Sequence, residues 1–387
     1  MTHQQNQAQS PAATTATRNA SLADLADLLQ SQQADKVDVV APAAALTAHD
    51  GQVVVRGVAP VLSANGVTLA DGTYRPTEVA DEGIADKLRI PLAYLRRMRA
   101  ENLPLFDLNV SGWLEADPSR RFLLRTFRST EEGTPGVLRA LLSDSYRVID
   151  NFDILTAALT GVRDSGHGVQ ITGCDLTDRR MLVRVESEHV RVHAPQLLKG
   201  YRSPFTGQTG DELPIVSAGF VISNSEVGSG AFTITPRIVV QICRNGMQMG
   251  HDALKAVHLG AKLEAGVIRW SADTESKTLD LISARARDAV ATFMDRAYVE
   301  AKLREIEERA GAPVKDPAAA IEFVAKKLRY TDSVRESVLS HFIQGGQVTA
   351  GGVMQAITAT AQTLGDADAA HELEGTALTA MALVPTA

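Results

Sequence analysis

Arginines that alternate with apolar residues are the most suggestive chemical feature of this 387-residue sequence. In the segment RRFLLRTFR, Arg121 and Arg125 are separated by four positions, and in HVRVHA, Arg191 lies between two valines. Because the side chains of a β-strand alternate between its two faces, this spacing predicts a sheet face that carries guanidinium groups. Such a face would bind phosphates, with aromatic rings stacking on unpaired bases. The alternative is an ordinary charged surface exposed to solvent.

The predicted nucleic-acid site takes its cations and tyrosines from the middle of the chain. Its residues are Arg121, Arg125, Tyr146, Arg147, Arg184, Arg191, Lys199, Tyr201, Arg202 and Arg237, with Phe205 as a further stacking candidate. A net charge of −7 excludes a generally basic protein that coats DNA, although a local basic surface remains compatible with it. The sequence therefore predicts binding of single-stranded nucleic acid without sequence preference. A structural or assembly protein with no nucleic-acid ligand is the alternative.

A second candidate for DNA recognition is IADKLRIPLAYLRRMR, residues 84–99, which has the residue order of a helix-turn-helix. Pro91 suits the start of the second helix, from which Arg96 and Arg97 would face outward. Against base recognition, Arg89 occupies the turn position where glycine is usual, and the outer side offers no Asn or Gln to read adenine. The two interpretations are a DNA regulator and a packed helical hairpin that supports the β-core, and the sequence favours the hairpin.

Sequence motifs for catalysis, nucleotide hydrolysis and metal binding are missing. The chain contains no G-x-x-x-x-G-K-[ST] loop, no dinucleotide-binding glycine pattern and no G-x-S-x-G elbow. His189 and His193 would suit zinc on a helix, but the alternation in HVRVHA predicts a strand, where their rings would lie about 13 Å apart. The sequence therefore predicts a protein that is not an enzyme and has no cofactor and no metal site.

The composition favours a cytoplasmic protein with no membrane partner. No apolar run approaches the ~20 residues that a membrane-spanning helix needs, and the N-terminus lacks the regions of a secretory signal. Cys174 and Cys243 are too few for a disulfide framework, so we expect buried, reduced thiols.

The elements that must position these residues are strands in the middle of the chain and helices toward its end. The predicted fold class is α+β, with a central antiparallel sheet, helices on one side and a helical C-terminal region. Ser21 is the predicted N-cap of a first helix, and Asp-Gly pairs at 50–51 and 71–72 predict turns. The predicted regions are a disordered arm (1–20), a docking helix with a small β unit (21–76), an α+β core (77–310) and a C-terminal helical region (311–387).

Two segments and the helical pair resemble a known family. LLSDSYRVIDNFDIL (141–155) and VISNSEVGSGAFTITPRIVVQICRNGM (221–247) are similar to the phage/plasmid-like proteins called domain of unknown function 932, over roughly residues 77–304. The family-motif residues are Asp144, Asn151, Ser223, Asn224, Ser225, Glu226, Asn245 and Gly246. The resemblance implies a bacterial, plasmid or phage origin and, by extension, a role in mobile-element DNA metabolism, but no established activity.

The residues of these motifs leave their role open. SDSYRVID fits a strand end that leads into a helix, with Tyr146 as an aromatic surface, or a packed turn capped by Asp144. SNSEVGSG allows a close approach of the backbone to a ligand, a bulge, or a plain hairpin connection. The order of strand, helix and β-hairpin is also similar to that of single-strand annealing proteins, which oligomerise. Single-stranded DNA and a second copy of the chain are therefore the predicted partners.

Overall fold

The computed structural model describes residues 16–63, 66–129, 131, 133–146, 149–244, 246–256 and 272–385. Residues 1–15 of the predicted arm, the predicted site residue Arg147 and the motif residue Asn245 lie outside the described residues. Thr17–Ala20, which we expected to belong to the disordered arm, instead forms the edge strand β1. The physical reason is an anchor: Arg18 and the backbone N–H of Asn19 both donate to the buried carboxylate of Asp175.

Two β-sheets organise the fold. The large sheet is antiparallel and contains β1, β10 (Val169–Leu176), β11 (Met181–His193), β12 (Ile215–Asn224), β13 (Phe232–Val240), β14 (Gly246–Gln248) and β15 (Leu254–Ala256), with β15 paired to β13. The small sheet contains β2 (Lys36–Pro42), β8 (Arg121–Phe127), β9 (Gly136–Ser143), β7 (Gly72–Pro76), β4 (Gln52–Val55) and β3 (Leu46–His49), in that order. It is mixed because β7 and β9 are parallel. A separate hairpin pairs β5 (Val61–Ser63) with β6 (Gly66–Thr68).

Helices cover these sheets and form the C-terminal part of the chain. They are α1 (Leu22–Asp35), α2 (Glu78–Leu88), α3 (Leu92–Glu101), α4 (Leu103–Ala116), α5 (Asn151–Asp164), the single turn α6 (Pro195–Leu198), α7 (Ala272–Phe293), α8 (Arg296–Ala310), α9 (Pro317–Leu328), α10 (Asp332–Gly345), α11 (Ala350–Thr363) and α12 (Ala367–Leu383). The predicted α+β class with a central antiparallel sheet and a helical C-terminal region is confirmed. No helix in the described ranges combines the length and the apolar character that crossing a membrane requires.

Local signals in the sequence explain several element boundaries. Ser21 caps α1 as predicted, since its hydroxyl accepts from the N–H of Asp24, whose carboxylate accepts from the N–H of Ser21. Thr77 caps α2 in the same manner through the N–H of Ala80. Asp50 and Gly51 have φ values of 49° and 73°, the left-handed pair that a tight hairpin between β3 and β4 requires.

The two faces of the large sheet differ in chemistry. One face is apolar, and residues such as Val183, Phe220 and Ile238 are buried in the core with Ile154 of α5 and Ile282 of α7. Burying each side chain of this size contributes about 1.5–3 kcal/mol. The opposite face is polar, and α12 lies against it in addition to the helices on the apolar side. The polar face is therefore the part of the sheet where a ligand-binding site is feasible.

The small sheet contains strands from both sides of the domain boundary that we predicted between residues 76 and 77. Strand β2 pairs with β8 along its whole length, from Lys36 opposite Phe127 to Pro42 opposite Arg121. Strand β7 likewise pairs with β9. Arg121 and Arg125 therefore belong to the small sheet, whereas Arg184, Arg191 and Arg237 belong to the large one.

Candidate anion-binding cavity

The strand register places polar side chains side by side on one face of the large sheet, which we call the polar face. Arg184 on β11 lies opposite Val221 on β12. Arg237 on β13 lies opposite Gly219 on one side and Gln248 on the other. Because directly opposed residues point to the same face, Arg184 and Arg237 share a surface.

A cavity of about 400 Å³ lies between this polar face and helices α11 and α12. We call it the arginine-lined cavity; its charged and histidine side chains are Arg18, Arg184, Glu186, Arg237, Arg244, His371 and Glu374. Its volume falls within the range of about 300–1,000 Å³ that is typical of small-molecule sites. The cavity thus has room for a ligand of about the size of a nucleotide.

Two arginines of the cavity share one buried carboxylate. Arg184 donates to both oxygens of Asp175, with Nη1–Oδ2 at 2.5 Å and Nη2–Oδ1 at 3.1 Å. Arg18 Nη1 donates to the same carboxylate at 2.6 Å. Burial would raise the pKa of Asp175, but the hydrogen bonds and charge of Arg184, the N–H of Asn19 and the charge of Arg18 lower this pKa below its usual range. One of the two guanidinium charges is therefore not balanced by this carboxylate.

The other arginines of the cavity meet two glutamates. Arg237 donates from Nε and Nη2 to Glu374 Oε1, at 2.9 and 2.5 Å. Arg244 Nη1 lies 3.5 Å from Glu186 Oε2, and the Arg244 side chain is 68% exposed. This contact is looser than the others, and Arg244 is the arginine of the cavity that is best placed to turn toward a ligand.

Arg191 adds a further positive charge on the same face of the sheet, outside the residues that line the cavity. Arg191 is exposed and lies opposite Ser217. The side-chain amide of Gln241 donates both to the hydroxyl of Ser217 and to the carboxylate of the cavity residue Glu186. Arg191 makes no ion pair with any residue that the structure describes. The cavity and its buried partner Asp175 therefore contain four arginines against three carboxylates: Arg18, Arg184, Arg237 and Arg244 against Asp175, Glu186 and Glu374. This surplus of one positive charge, with the unpaired Arg191 on the same face of the sheet, suits an anion.

The position of Arg237 depends on a glycine. A Cβ on Gly246 would lie 1.7 Å from Arg237 Nε, so any other residue at this position would displace the guanidinium group. Gly246 was identified from the family resemblance, and its role in this structure is to let the side chain of Arg237 cross strand β14. The motif thus bears directly on the geometry of the cavity.

His371 is a neutral part of the cavity wall, and Gln248 holds it from behind. The side-chain amide of Gln248 donates to His371 Nδ1 at 3.0 Å and to Glu374 Oε2 at 3.0 Å. Burial lowers the pKa of His371 to about 4. The imidazole is therefore uncharged at neutral pH and does not add to the positive charge of the cavity.

A second group of charges joins the two sheets, and we call it the Glu226 cluster. Its members are Lys36, Asp38, Arg125, Arg139, Asp150 and Glu226. Arg125 is completely buried; it donates to Asp38 and Asp150 at 2.7 Å and to the backbone carbonyl of Glu226 at 2.7 Å. Three cations face three carboxylates, so the cluster is balanced.

Glu226 lies at the centre of this cluster. Its carboxylate accepts from Arg139 at 2.5 Å, Lys36 at 3.2 Å and the backbone N–H of Asn151 at 2.6 Å. Burial would raise the pKa of Glu226, but the charges of Arg139, Arg125 and Lys36 outweigh it and hold this pKa well below its usual range. The cluster therefore connects β2, β8 and β9 of the small sheet to the loop after β12.

Four of the eight family-motif residues, Asn151, Asn224, Ser225 and Glu226, lie at or next to this junction. Asn224 donates from Nδ2 to Asn151 Oδ1 at 2.8 Å, and both side chains are buried. Ser225 donates to the carbonyl of Arg179 at 2.6 Å. Asp144 is exposed in the turn after β9, whereas Asp150 is the residue that precedes α5. The SNSEVGSG segment is the hairpin connection between β12 and β13.

The prediction that these residues form one cationic surface is wrong, because they lie in three separate places. Arg121 is exposed at the start of β8, while Arg125 is buried in the Glu226 cluster and half-buried Tyr146 lies near Gly228. Lys199, Tyr201, Arg202 and Phe205 follow α6. Tyr201 is only 2% exposed, so neither it nor Arg125 is available to stack on or contact a nucleic acid. Arg184, Arg191 and Arg237 remain together on the polar face.

The helical pair packs on the small sheet, as the hairpin interpretation predicts. Helix α2 contacts β9 and ends at Arg89, which takes the left-handed conformation with φ 57°. Arg96 Nη2 lies 3.3 Å from Glu82 Oε1, and Arg97 Nε lies 2.8 Å from Glu101 Oε2. These outer arginines are thus engaged with neighbouring carboxylates.

One group of possible metal ligands occurs among the described residues, and it lies outside both charged regions. His49, Asp50 and Asp107 have ligand atoms within 4.8 Å of one another. However, the two oxygens of Asp107 accept from the backbone N–H groups of Asp50 at 2.7 Å and Gly51 at 3.0 Å. The group is accounted for as an anchor of the hairpin between β3 and β4.

Sequence reasoning missed the residues that complete the cavity. Arg18 was assigned to a disordered arm, and Arg244, Gln248, His371 and Glu374 were not considered. The signal in the sequence that could have found them is charge: the last helix is rich in acidic residues, whereas arginines are concentrated in the middle of the chain.

No protein-family model, no curated protein and no solved structure matches this chain. The resemblance to domain of unknown function 932 therefore stays a prediction.

Proposed function

We propose that this protein binds a small ligand through a phosphate group in the arginine-lined cavity. The observation that carries the proposal is the surplus of arginines over carboxylates around a solvent-accessible cavity of about 400 Å³. Arginine presents a planar fork of donors that matches phosphate oxygens, and such charge-assisted bonds are roughly twice as strong as neutral ones. An anion entering the cavity would balance charges that the protein leaves unbalanced.

The proposal is one of binding rather than of catalysis. The imidazole of the cavity belongs to His371, whose pKa of about 4 makes it a weak base, and its Nδ1 already accepts from Gln248. Both glutamates of the lining are close to arginines. This arrangement favours a static site that holds an anion over one that transfers a proton.

The size of the cavity favours a single nucleotide as the nucleic-acid ligand, either free or at the end of a strand. Helix α12 lies across the polar face, so a strand would not lie along the sheet. A terminal phosphate with its nucleotide would fit the volume. Free nucleotide and strand end share the same chemistry, and an experiment can distinguish them.

The test is calorimetric titration with AMP and with short oligodeoxythymidylates that carry either a phosphate or a hydroxyl at the 5′ end. We expect AMP and the phosphorylated strand to bind, and affinity to fall as salt rises from about 50 to 200 mM. AMP binding alone would indicate a free nucleotide, whereas tighter binding of the phosphorylated strand would indicate a strand end. Equal binding of the hydroxyl-ended strand would indicate internal phosphates and contradict the size argument.

The matched variants are Arg191→Gln with Arg244→Gln, and Arg121→Gln as the control. Arg244 lines the cavity, Arg191 lies on the same face of the sheet, and both are exposed, so their loss should leave folding intact. We expect the double variant to lose about tenfold in affinity, equivalent to about 1.4 kcal/mol. Arg121 is an exposed arginine of the small sheet, and its variant should bind like the parent. Absence of phosphate binding in the parent, or equal losses in both variants, would contradict the proposal.

A further inference from the structure

A second cavity, of about 250 Å³, lies on the polar face beyond His371, which lines both cavities. We call it the hydroxyl-lined cavity because Ser223, Thr233 and Thr235 line it, together with Lys255 and Arg180. Thr235 and Arg237 are two positions apart on β13, so residues of the two cavities are neighbours on one strand. The Arg237–Glu374–Gln248–His371 contacts separate the two spaces.

Three residues form a row across the floor of this cavity. Ser223 on β12 lies opposite Thr233 on β13, and Thr233 lies opposite Lys255 on β15. Opposed side chains of an antiparallel pair are about 5 Å apart at Cβ, so the two hydroxyls and the ammonium group are within reach of one small molecule. Within the described residues, none of these three side chains makes a hydrogen bond or an ion pair, and neither does Thr235.

Ser223 and Thr235 are each only 7% exposed, and both line the cavity, so their hydroxyls are accessible from the cavity. A hydroxyl with no protein partner is paired with water or with a ligand. The neighbouring Arg180 is already engaged, with Nε 2.7 Å from Asp368 and Nη2 3.0 Å from Glu372. Lys255 therefore supplies the positive charge of the row that no described carboxylate balances.

We propose that the hydroxyl-lined cavity is a second binding site, distinct from the arginine-lined cavity, for a phosphorylated or carboxylated polyol. An ammonium group only donates hydrogen bonds, so Lys255 holds the anionic group of the ligand. Hydroxyls both donate and accept, so Ser223, Thr233 and Thr235 pair with the hydroxyls of the polyol. A sugar phosphate combines both features at a size that suits the smaller volume.

The test is calorimetric titration of the full-length protein with ribose 5-phosphate, with inorganic phosphate and neutral ribose as comparison ligands. The variant is Thr233→Val with Lys255→Met, which keeps side-chain shape and removes the polar groups. We expect one binding event for ribose 5-phosphate to weaken at least tenfold in this variant. Thr73→Val, an exposed strand threonine of the small sheet, is the control and should bind like the parent.

The outcomes separate this site from the arginine-lined cavity. Arg191→Gln with Arg244→Gln should weaken phosphate binding in the arginine-lined cavity and leave the event sensitive to Thr233→Val with Lys255→Met intact. If every ribose 5-phosphate event persists at parental affinity in the Thr233 and Lys255 variant, the second site is refuted while the first stands. If ribose 5-phosphate does not bind the parent at all, or binds no better than inorganic phosphate, the second site is refuted as well.

Discussion

The Glu226 cluster and the arginine-lined cavity contain the same residue types but differ in role. Each brings several cations and three carboxylates together beside a β-sheet, from strands, loops and helices. In the cluster, three cations meet three carboxylates and Arg125 is fully enclosed. In the cavity, four arginines meet three carboxylates around a space that is open to solvent. Charge balance and free volume, rather than the presence of arginine, distinguish a structural junction from a binding site.

This difference has an energetic basis. A buried ion is costly unless partners replace its hydration, so a closed cluster must be balanced. A cavity open to water can tolerate unbalanced charge, because solvent and counterions screen it until a ligand binds. The two regions should therefore respond in opposite ways to the removal of a carboxylate: the cluster should lose stability, and the cavity should gain affinity for anions.

The largest expected effect is that of Glu226→Gln. Removal of this charge leaves Lys36, Arg125 and Arg139 in excess in a buried place, and breaking such a pair costs about 3–5 kcal/mol. Urea denaturation would measure the free energy of unfolding. Glu101→Gln, which breaks the exposed pair with Arg97, should change it by less than about 1 kcal/mol. Similar small effects for both variants would show that the cluster does not hold the two sheets together.

A smaller effect is expected from pH at the cavity wall. The pKa of His371 is about 4 in the folded protein and close to 6.5 when the chain is unfolded, so folding favours the neutral ring. The resulting stability is complete above pH 6.5 and is lost as pH falls toward 4. Between pH 6.5 and 5 we expect a loss of about 2 kcal/mol. Glu374 opposes this shift, while Arg180, Arg237 and Arg184 reinforce it.

The comparison of the parent with His371→Gln isolates this contribution. Urea denaturation at several pH values between 7 and 5 should show a shallower decline for the variant. Burial also lowers the pKa of His341, so part of the decline should persist in both proteins. Identical slopes would mean that protonation of His371 is not coupled to folding.

The smallest expected effect is that of Glu186→Gln in the cavity. The substitution removes the carboxylate near Arg244 and keeps an oxygen that can accept from Gln241. Stability should change by less than about 1 kcal/mol, while affinity for AMP should rise several-fold because one more positive charge is unbalanced. Calorimetry measures the affinity. A fall in AMP affinity would indicate that Glu186 contacts the ligand, which is the opposite of the role assigned to it.

Local patterns predicted much of the fold. The N-cap at Ser21 and the hairpin turn at Asp50–Gly51 depend on neighbouring residues, and both are observed. By contrast, GVLRALLS (136–143) lacks strict alternation of polar and apolar residues. Its position as β9 is set by antiparallel pairing with the preceding strand β8 and by parallel pairing with the more distant strand β7.

The candidate site was only partly predictable. The alternation of HVRVHA correctly placed Arg191 on an exposed face with Val192 buried. The same rule applied to RRFLLRTFR gave no hint that Arg125 is fully buried, because Asp38, Asp150 and Glu226 approach from three other segments. Likewise, Glu374 meets Arg237 across 137 positions of sequence. Partners of this kind are tertiary, and alternation along one strand carries no information about them.

The most direct test of the account is an NMR titration of isotope-labelled arginine side chains with AMP, with resonances assigned from single arginine variants. The guanidinium Nε–H signals of Arg184, Arg237 and Arg244 report on the cavity, and those of Arg125 and Arg139 report on the cluster. We predict that AMP shifts the first group in a saturable manner and leaves the second group unchanged. Saturating AMP that shifts neither group, or that shifts only Arg125 and Arg139, would contradict the claim that unbalanced charge marks the binding site.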